Sequence, residues 1–320
     1  MKTLKTKPIR VTGFVVSLII TVVNSSIGQT PSETPISGHY PGGHVGVRGG
    51  DSPEPGVGFF VFNRIYHPGN LMDSHGNSLG TVDKFSRAYI LGTAWVTKFK
   101  VLGMNLGGIL AVPINDVYNR PSNHNYSSTG YGIGDIAIVP LYLYGKSKYF
   151  DYQVAFGAFA ASGYFSPGSD QNHGAGYWGI AYSIGGVYFL KGDRRSFNFS
   201  AVARIEQNLK QNATDIKPGN DVVVDWGIGS PFLPLDKERN HILDFGISGF
   251  ATTQFTHETG TNAALNTDFY RCYAIGPEVN YAYRPLKLKF LLRAQQEFGA
   301  RNTTQGYCYW LSVAHKFGHI

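Results

Sequence analysis

The chain has 320 residues, a formal net charge of +7, 15% charged residues, 14% aromatics and 40 glycines. An ordinary soluble domain carries about 25% charged residues and ~7% glycine, so that class fits poorly. A mean hydropathy of −0.14 excludes a bundle of membrane helices, and what remains is a β protein whose two faces meet different solvents.

Residues 1–28 read as an export signal. "MKTLKTKPIR" supplies Lys2, Lys5, Lys7 and Arg10, "VTGFVVSLIITVV" is the apolar core, and small residues allow cleavage after Gly28. The apolar run falls short of the ~20 residues of a transmembrane helix, and no cysteine follows it to accept a lipid. The signal holds four positive charges and no acid, which leaves a mature charge of +3. The basic balance therefore gives no support to nucleic acid as a partner.

Residues 29–54 form a glycine-rich lead-in containing "SGHYPGGHVGVRGG". It lacks the Lys-Ser/Thr of a phosphate loop, and no helical pattern follows. His39 and His44 have no third ligand at metal spacing, so neither a metal nor another cofactor is expected. Two readings stay open. Starting beneath the periplasmic end of a barrel, the segment folds into the lumen as a plug through His39, Tyr40 and Arg48, with Arg48 on lumen carboxylates. Alternatively it is a tail without fixed structure.

Residues 55–320 alternate with a period of two, the mark of strands. In "SFNFSAVARIEQN", Phe197, Phe199, Ala201 and Ile205 share one face, and Asn198, Ser200, Arg204 and Glu206 share the other. The same pattern predicts about twelve strands: 55–66, 85–99, 101–115, 131–145, 151–164, 176–191, 195–210, 221–232, 241–256, 269–284, 286–299 and 304–317. Most exceed the ~9–11 residues needed to cross a membrane at a tilt. Connections alternate between long, such as "HPGNLMDSHGNSLGTVDK", and short, such as "RP", with "ARNTT" near the end as an exception. Long loops on one rim and tight turns on the other suit an outer-membrane barrel. The fold class expected is all-β: a single antiparallel transmembrane β-barrel of about 12 strands.

Arg or Lys facing lipid at mid-membrane costs about 2–4 kcal/mol. Asp135, Arg204, Glu206, Asp244, Glu278 and Arg293 are therefore expected to face the lumen, either as a salt-bridge belt or along a substrate path. Tyr142, Tyr144, Tyr281, Tyr283, Trp95 and Trp178 lie near predicted strand ends, where interface girdles form. Cys272 and Cys308 open strands separated by one other, about 9–10 Å apart. That exceeds disulfide reach of ~7 Å between Cα atoms and favours free thiols.

Several segments, in order, carry a resemblance: "HYPGG", "PEPGVGFFVFNRIY", "GIGDIAIVPLYLY", "ASGYFSPGS", "GAGYW", "IKPGNDVVVDWGIG", "DFGISGFATTQFTHETG", "YAIGPEVNYAY" and "EFGARNTTQGYCYWLSVAHKF". With them the chain resembles the phenol-degradation meta-pathway ("MetA-pathway of phenol degradation") family of outer-membrane proteins. The resemblance implies a barrel in the outer membrane of a Gram-negative bacterium that passes small hydrophobic or aromatic compounds inward, and no enzyme acting on phenol. Its partners would be outer-membrane lipid, the barrel assembly machinery and those small molecules. One departure is the C-terminus, where Phe317 is followed by Gly318, His319 and Ile320 in place of a terminal aromatic. Two alternatives remain. One is a closed structural or surface-binding barrel without transport. The remoter one is an outer-membrane lipase-type enzyme, for which no fixed Ser/His/acid triad is visible.

Overall fold

A computed structural model describes residues 35–119, 127–169, 171–261, 263 and 268–317. The expected signal, residues 29–34 and the last three residues lie outside them. Twelve long strands follow one another: β1 (Gly56–Met72), β2 (Lys84–Val101), β3 (Met104–Asn119), β4 (Ile136–Lys146), β5 (Phe150–Ala160), β6 (Gly179–Phe189), β7 (Asn198–Asn208), β8 (Asp221–Gly229), β9 (His241–Gln254), β10 (Arg271–Tyr283), β11 (Leu288–Arg301) and β12 (Thr303–Lys316). Each pairs antiparallel with its neighbour in sequence. β1 also pairs with β12, with Val61 opposite Val313. The sheet closes on itself and leaves no free edge.

The first strand runs past its expected end at 66. A bulge between Gly69 and Asn70 shifts its register against β12, and Ser78–Thr81 pairs back on it, so most of the expected loop is a hairpin extension. The fourth strand starts at Ile136 rather than 131, because Gly132–Ile133 pairs separately with β3. Turns such as Leu102–Gly103 gather on the rim where β1 begins and β12 ends. Connections 161–178, 209–220 and 255–270 gather on the other. The short "ARNTT" link is a single residue, Asn302, between β11 and β12, with φ 49°, a left-handed conformation that asparagine tolerates.

The two faces are inverted relative to a soluble protein. Outward side chains are large and apolar, with Ile184 64% and Leu292 59% exposed, alongside Phe199, Phe245 and Leu311. A soluble monomer rarely shows an apolar surface of this extent. Inward side chains are polar and buried, among them Gln153, Ser248, Glu278, Arg293 and Gln295. No helix among the described residues is long and apolar enough to cross a membrane. The crossing is made by strands, with apolar side chains toward lipid and polar ones toward the lumen.

The expected girdle needs one correction. Tyr281, Tyr283 and Trp95 take the outward phase, and Trp178 is exposed. Tyr142 and Tyr144 are instead buried, stacked on each other with centroids 4.3 Å apart, and Tyr142 lines the lumen. The cause is a bulge in β4 between Ile138 and Leu141. It spans Pro140, which has no N–H to give a ladder. One extra residue reverses the phase downstream, so tyrosines that strict alternation would turn to lipid turn inward. Cys272 and Cys308 are both buried and free.

Candidate functional site in the lumen

The lead-in occupies the lumen. Ile36 N–H bonds the Glu258 carboxylate on the long-loop rim. Arg48 bonds carbonyls of Arg194, Ser196 and Ser230 near the short-turn rim. Residues 36–52 therefore traverse the barrel before turning into β1. The expected entry at the periplasmic end is thus only the lower half of the path, since the segment continues up to the long-loop rim.

A chain without its own secondary structure must find acceptors for its buried N–H groups. Here inward carboxylates supply them. His39 N–H donates to Glu206 Oε2 at 3.0 Å. Gly43 and Val45 N–H donate to the two oxygens of Asp225 at 2.7 and 3.2 Å. Val47 N–H donates to Glu278 Oε2 at 3.1 Å, and Ser52 N–H to Asp151 Oδ2 at 3.0 Å. Charge-assisted bonds of this type are about twice as strong as neutral ones. Three arginines complete the frame. Arg204 donates to Asp225 at 2.7 Å, and its guanidinium lies 4.2 Å from the centre of the Tyr40 ring. Arg293 donates to Glu278 at 2.8 Å and to the Gly43 carbonyl. Arg48 donates to Asp244 at 2.7 Å and lies 4.0 Å from the Phe232 ring centre.

Glycine is required at two of these contacts. Gly43 has φ +82°, and a Cβ on Gly46 would overlap the Glu278 carboxylate and the Arg293 guanidinium.

Four of the six lumen residues expected from sequence, Glu206, Asp244, Glu278 and Arg293, hold the lead-in. Arg204 and Asp135 do so too, and both also border open space. Alternation placed these residues inward. Asp225, Asp221 and Asp151 escaped notice, although "DVVVDWG" and "FDYQV" put them in the same inward phase. Asp225 and Asp151 meet the lead-in 182 and 99 positions away, and no local pattern reveals those contacts.

His39 is enclosed, its side chain only 4% exposed. It is stacked on Phe159 at 5.0 Å and edge-on to Tyr177 at 4.4 Å. Its Nδ1 meets Glu206, and its Nε2 lies 3.2 Å from Asp135 Oδ2. Burial alone would depress its pKa, but the Asp135 and Glu206 carboxylates outweigh that and raise it from 6.5 to about 9. The folded value lies above the unfolded one. The histidinium's contribution is therefore complete below pH 6.5 and lost as pH rises through about 9. At about 1.4 kcal/mol per unit, it is worth on the order of 3 kcal/mol. Protease protection of the lead-in should fall between pH 7 and 10 in the native protein and stay level in His39→Gln. A level native profile would remove His39 from this role.

His44 is not paired with His39. It lies against Phe62 at 4.8 Å and Trp310 at 5.7 Å. Among the described residues no group of three or more His, Cys, Asp or Glu is placed to hold a metal ion.

The charges pull the lead-in mainly toward one wall. Four of its carboxylate partners, Glu206, Asp225, Asp244 and Glu278, lie on β7–β10, while Asp151 on β5 and Asp135 just before β4 hold it from the other side. A cavity of about 700 Å³ remains beside the lead-in, lined mainly by β1–β6 and reaching Arg204 on β7, Phe250 on β9, Cys272 on β10 and Glu297 on β11. Its walls are Phe60, Phe62, Ile90, Ile109, Val139 and Tyr142, with Tyr40 from the lead-in. Small-molecule sites typically enclose roughly 300–1,000 Å³ with mainly apolar walls.

A family described as "Putative MetA-pathway of phenol degradation" matches residues 70–313. The chain belongs to this family. Among curated proteins no significant match was found. The fold is similar to that of the COG4313 outer membrane channel from Pseudomonas putida F1. That likeness has 12% identity and a TM-score of 0.68, and it covers 83% of this chain and 96% of the other. It is also similar to the β domain of the Bordetella autotransporter BrkA, at 10% identity and TM-score 0.50, over 82% of this chain and all of the other. At these identities the likeness concerns the fold, an outer-membrane β-barrel.

Proposed function

We propose that this family member is an outer-membrane channel for small hydrophobic or aromatic compounds, with the lead-in as a plug resting in its lumen. The observation that carries the reading is the cavity walled by Phe60, Phe62 and Tyr142 beside a lead-in held mainly by charges on the opposite wall. An apolar solute partitions onto such walls without energy input, and movement of the plug opens the way past it. The similar Pseudomonas barrel is an outer membrane channel, which supports this reading. Membrane lipid would meet the apolar outer face. The barrel assembly machinery would read the C-terminal strand that ends at the exposed Phe317.

The second reading is a closed structural barrel. The density of bonds between lead-in and wall favours it. Proteoliposomes separate the two. Ionised benzoate should enter proteoliposomes several times faster than protein-free liposomes if the barrel is a channel, while glucose gains little. Benzoate and glucose rates that each match protein-free liposomes would leave the structural reading.

A further inference from the structure

Three charged side chains bordering the cavity, Arg64, Arg87 and Glu297, are not used by the lead-in, and Arg64 is the one beside an open aromatic wall. Arg64 on β1 sits opposite Ala88 and Trp310 in the register. It therefore points inward, and whatever surface it exposes faces the cavity. Its guanidinium lies 4.7 Å from the Tyr66 ring centre and 5.7 Å from that of Trp310. It also contacts the Cys308 thiol. Among the described residues no carboxylate comes within 4.0 Å of it, and its buried Nε has no hydrogen-bond partner.

The other charges around the cavity are engaged. Arg204 is paired with Asp225, and Asp135 with His39. Glu297 accepts from the Tyr66 hydroxyl and the Gly306 N–H, each at 2.8 Å. Arg87 bonds the Tyr131 phenol. A guanidinium cannot shed its charge, and Glu297, the carboxylate that acts on Arg64, does so from beyond ion-pair distance while bonded to Tyr66 and Gly306, so the enclosed charge is only partly answered. An anion in the cavity would relieve it. Two residues along the same strand face lie Phe62 and then Phe60, stacked with centroids 4.7 Å apart. A planar apolar surface thus continues directly from the positive group.

We propose that the cavity takes monocyclic aromatic carboxylates, the carboxylate pairing with the Arg64 guanidinium and the ring resting on Phe62 and Phe60. This rests on the uptake reading above and names its substrate class. The fork of Arg64 matches a carboxylate in two parallel N–H···O bonds, whereas a neutral amide of the same shape leaves the charge unanswered.

Calorimetric titration of the purified full-length barrel with benzoate and with benzamide tests this. Native protein should bind benzoate at least about tenfold more tightly than benzamide at low salt, with the gap narrowing as salt rises. Arg64→Gln should lose the gap through weaker benzoate binding while benzamide binding stays the same, and Arg64→Lys should keep part of it. Retained benzamide binding shows that the variants are folded. Equal affinities in the native protein, or a gap that survives in Arg64→Gln, would overturn the acid assignment alone. Binding of neither probe to the native barrel would overturn the uptake reading with it.

Discussion

Arg293→Met is expected to destabilise the barrel by about 3–5 kcal/mol, the cost of leaving one partner of a buried ion pair alone. Arg293 and Glu278 are both at most 1% exposed, on adjacent strands in direct register. Arg293 also holds the Gly43 carbonyl, while Glu278 accepts the Val47 N–H. The substitution therefore strands a carboxylate and loosens the lead-in together. Adding Glu278→Gln should recover more than half of the loss, because a neutral amide tolerates the site without its partner. Urea titration of the folded, heat-modifiable band in gels measures both. A single variant as stable as the native protein, or a double variant no better than the single, would show that the pair is not what holds this wall.

Removal of residues 35–50 should convert a barrel without resolvable current steps into one with discrete, long-lived openings in planar bilayers. The deletion withdraws the donors that satisfy Glu206, Asp225 and Glu278, and water entering the lumen takes their place. The strands keep their ladder hydrogen bonds and their lipid-facing surface, so the variant should still fold and shift mobility on heating. Unchanged conductance in a folded variant would mean that the lead-in is not the obstruction, and the structural-barrel reading would gain. The same deletion should abolish the pH dependence assigned to His39, since the group itself is gone.

Much of the barrel is legible in the chain because strand alternation is local. In "NFSAVARIEQN" a reader sees which side must avoid lipid, and β7 has that phase. Loop lengths marked the two rims. Where the reading went astray, a non-local or backbone event was responsible. The β4 bulge turned Tyr142 and Tyr144 inward, and its cue was only Pro140 inside an apolar run. The hairpin 67–84 looked like a loop because its polar residues pair with each other above the membrane rather than within it.

By itself the sequence determined an antiparallel barrel of about twelve strands with apolar residues outward and charges inward, since the pattern that decides it spans only a few residues at a time, while the pairing of β1 with β12 that closes it is seen only in the structure. It also marked His39, Tyr40 and Arg48 as candidates for the lumen, because an exported chain with a glycine-rich start below an open barrel has somewhere to go. Only the tertiary structure decided which wall the lead-in takes, and so where space is left. Gly43 meets Arg293 and Asp225, 250 and 182 positions away, and closing the barrel is what brings them together. That Arg64 has no direct ion pair beside the cavity is decided at the same level, because whether a charge has a partner depends on every strand around it.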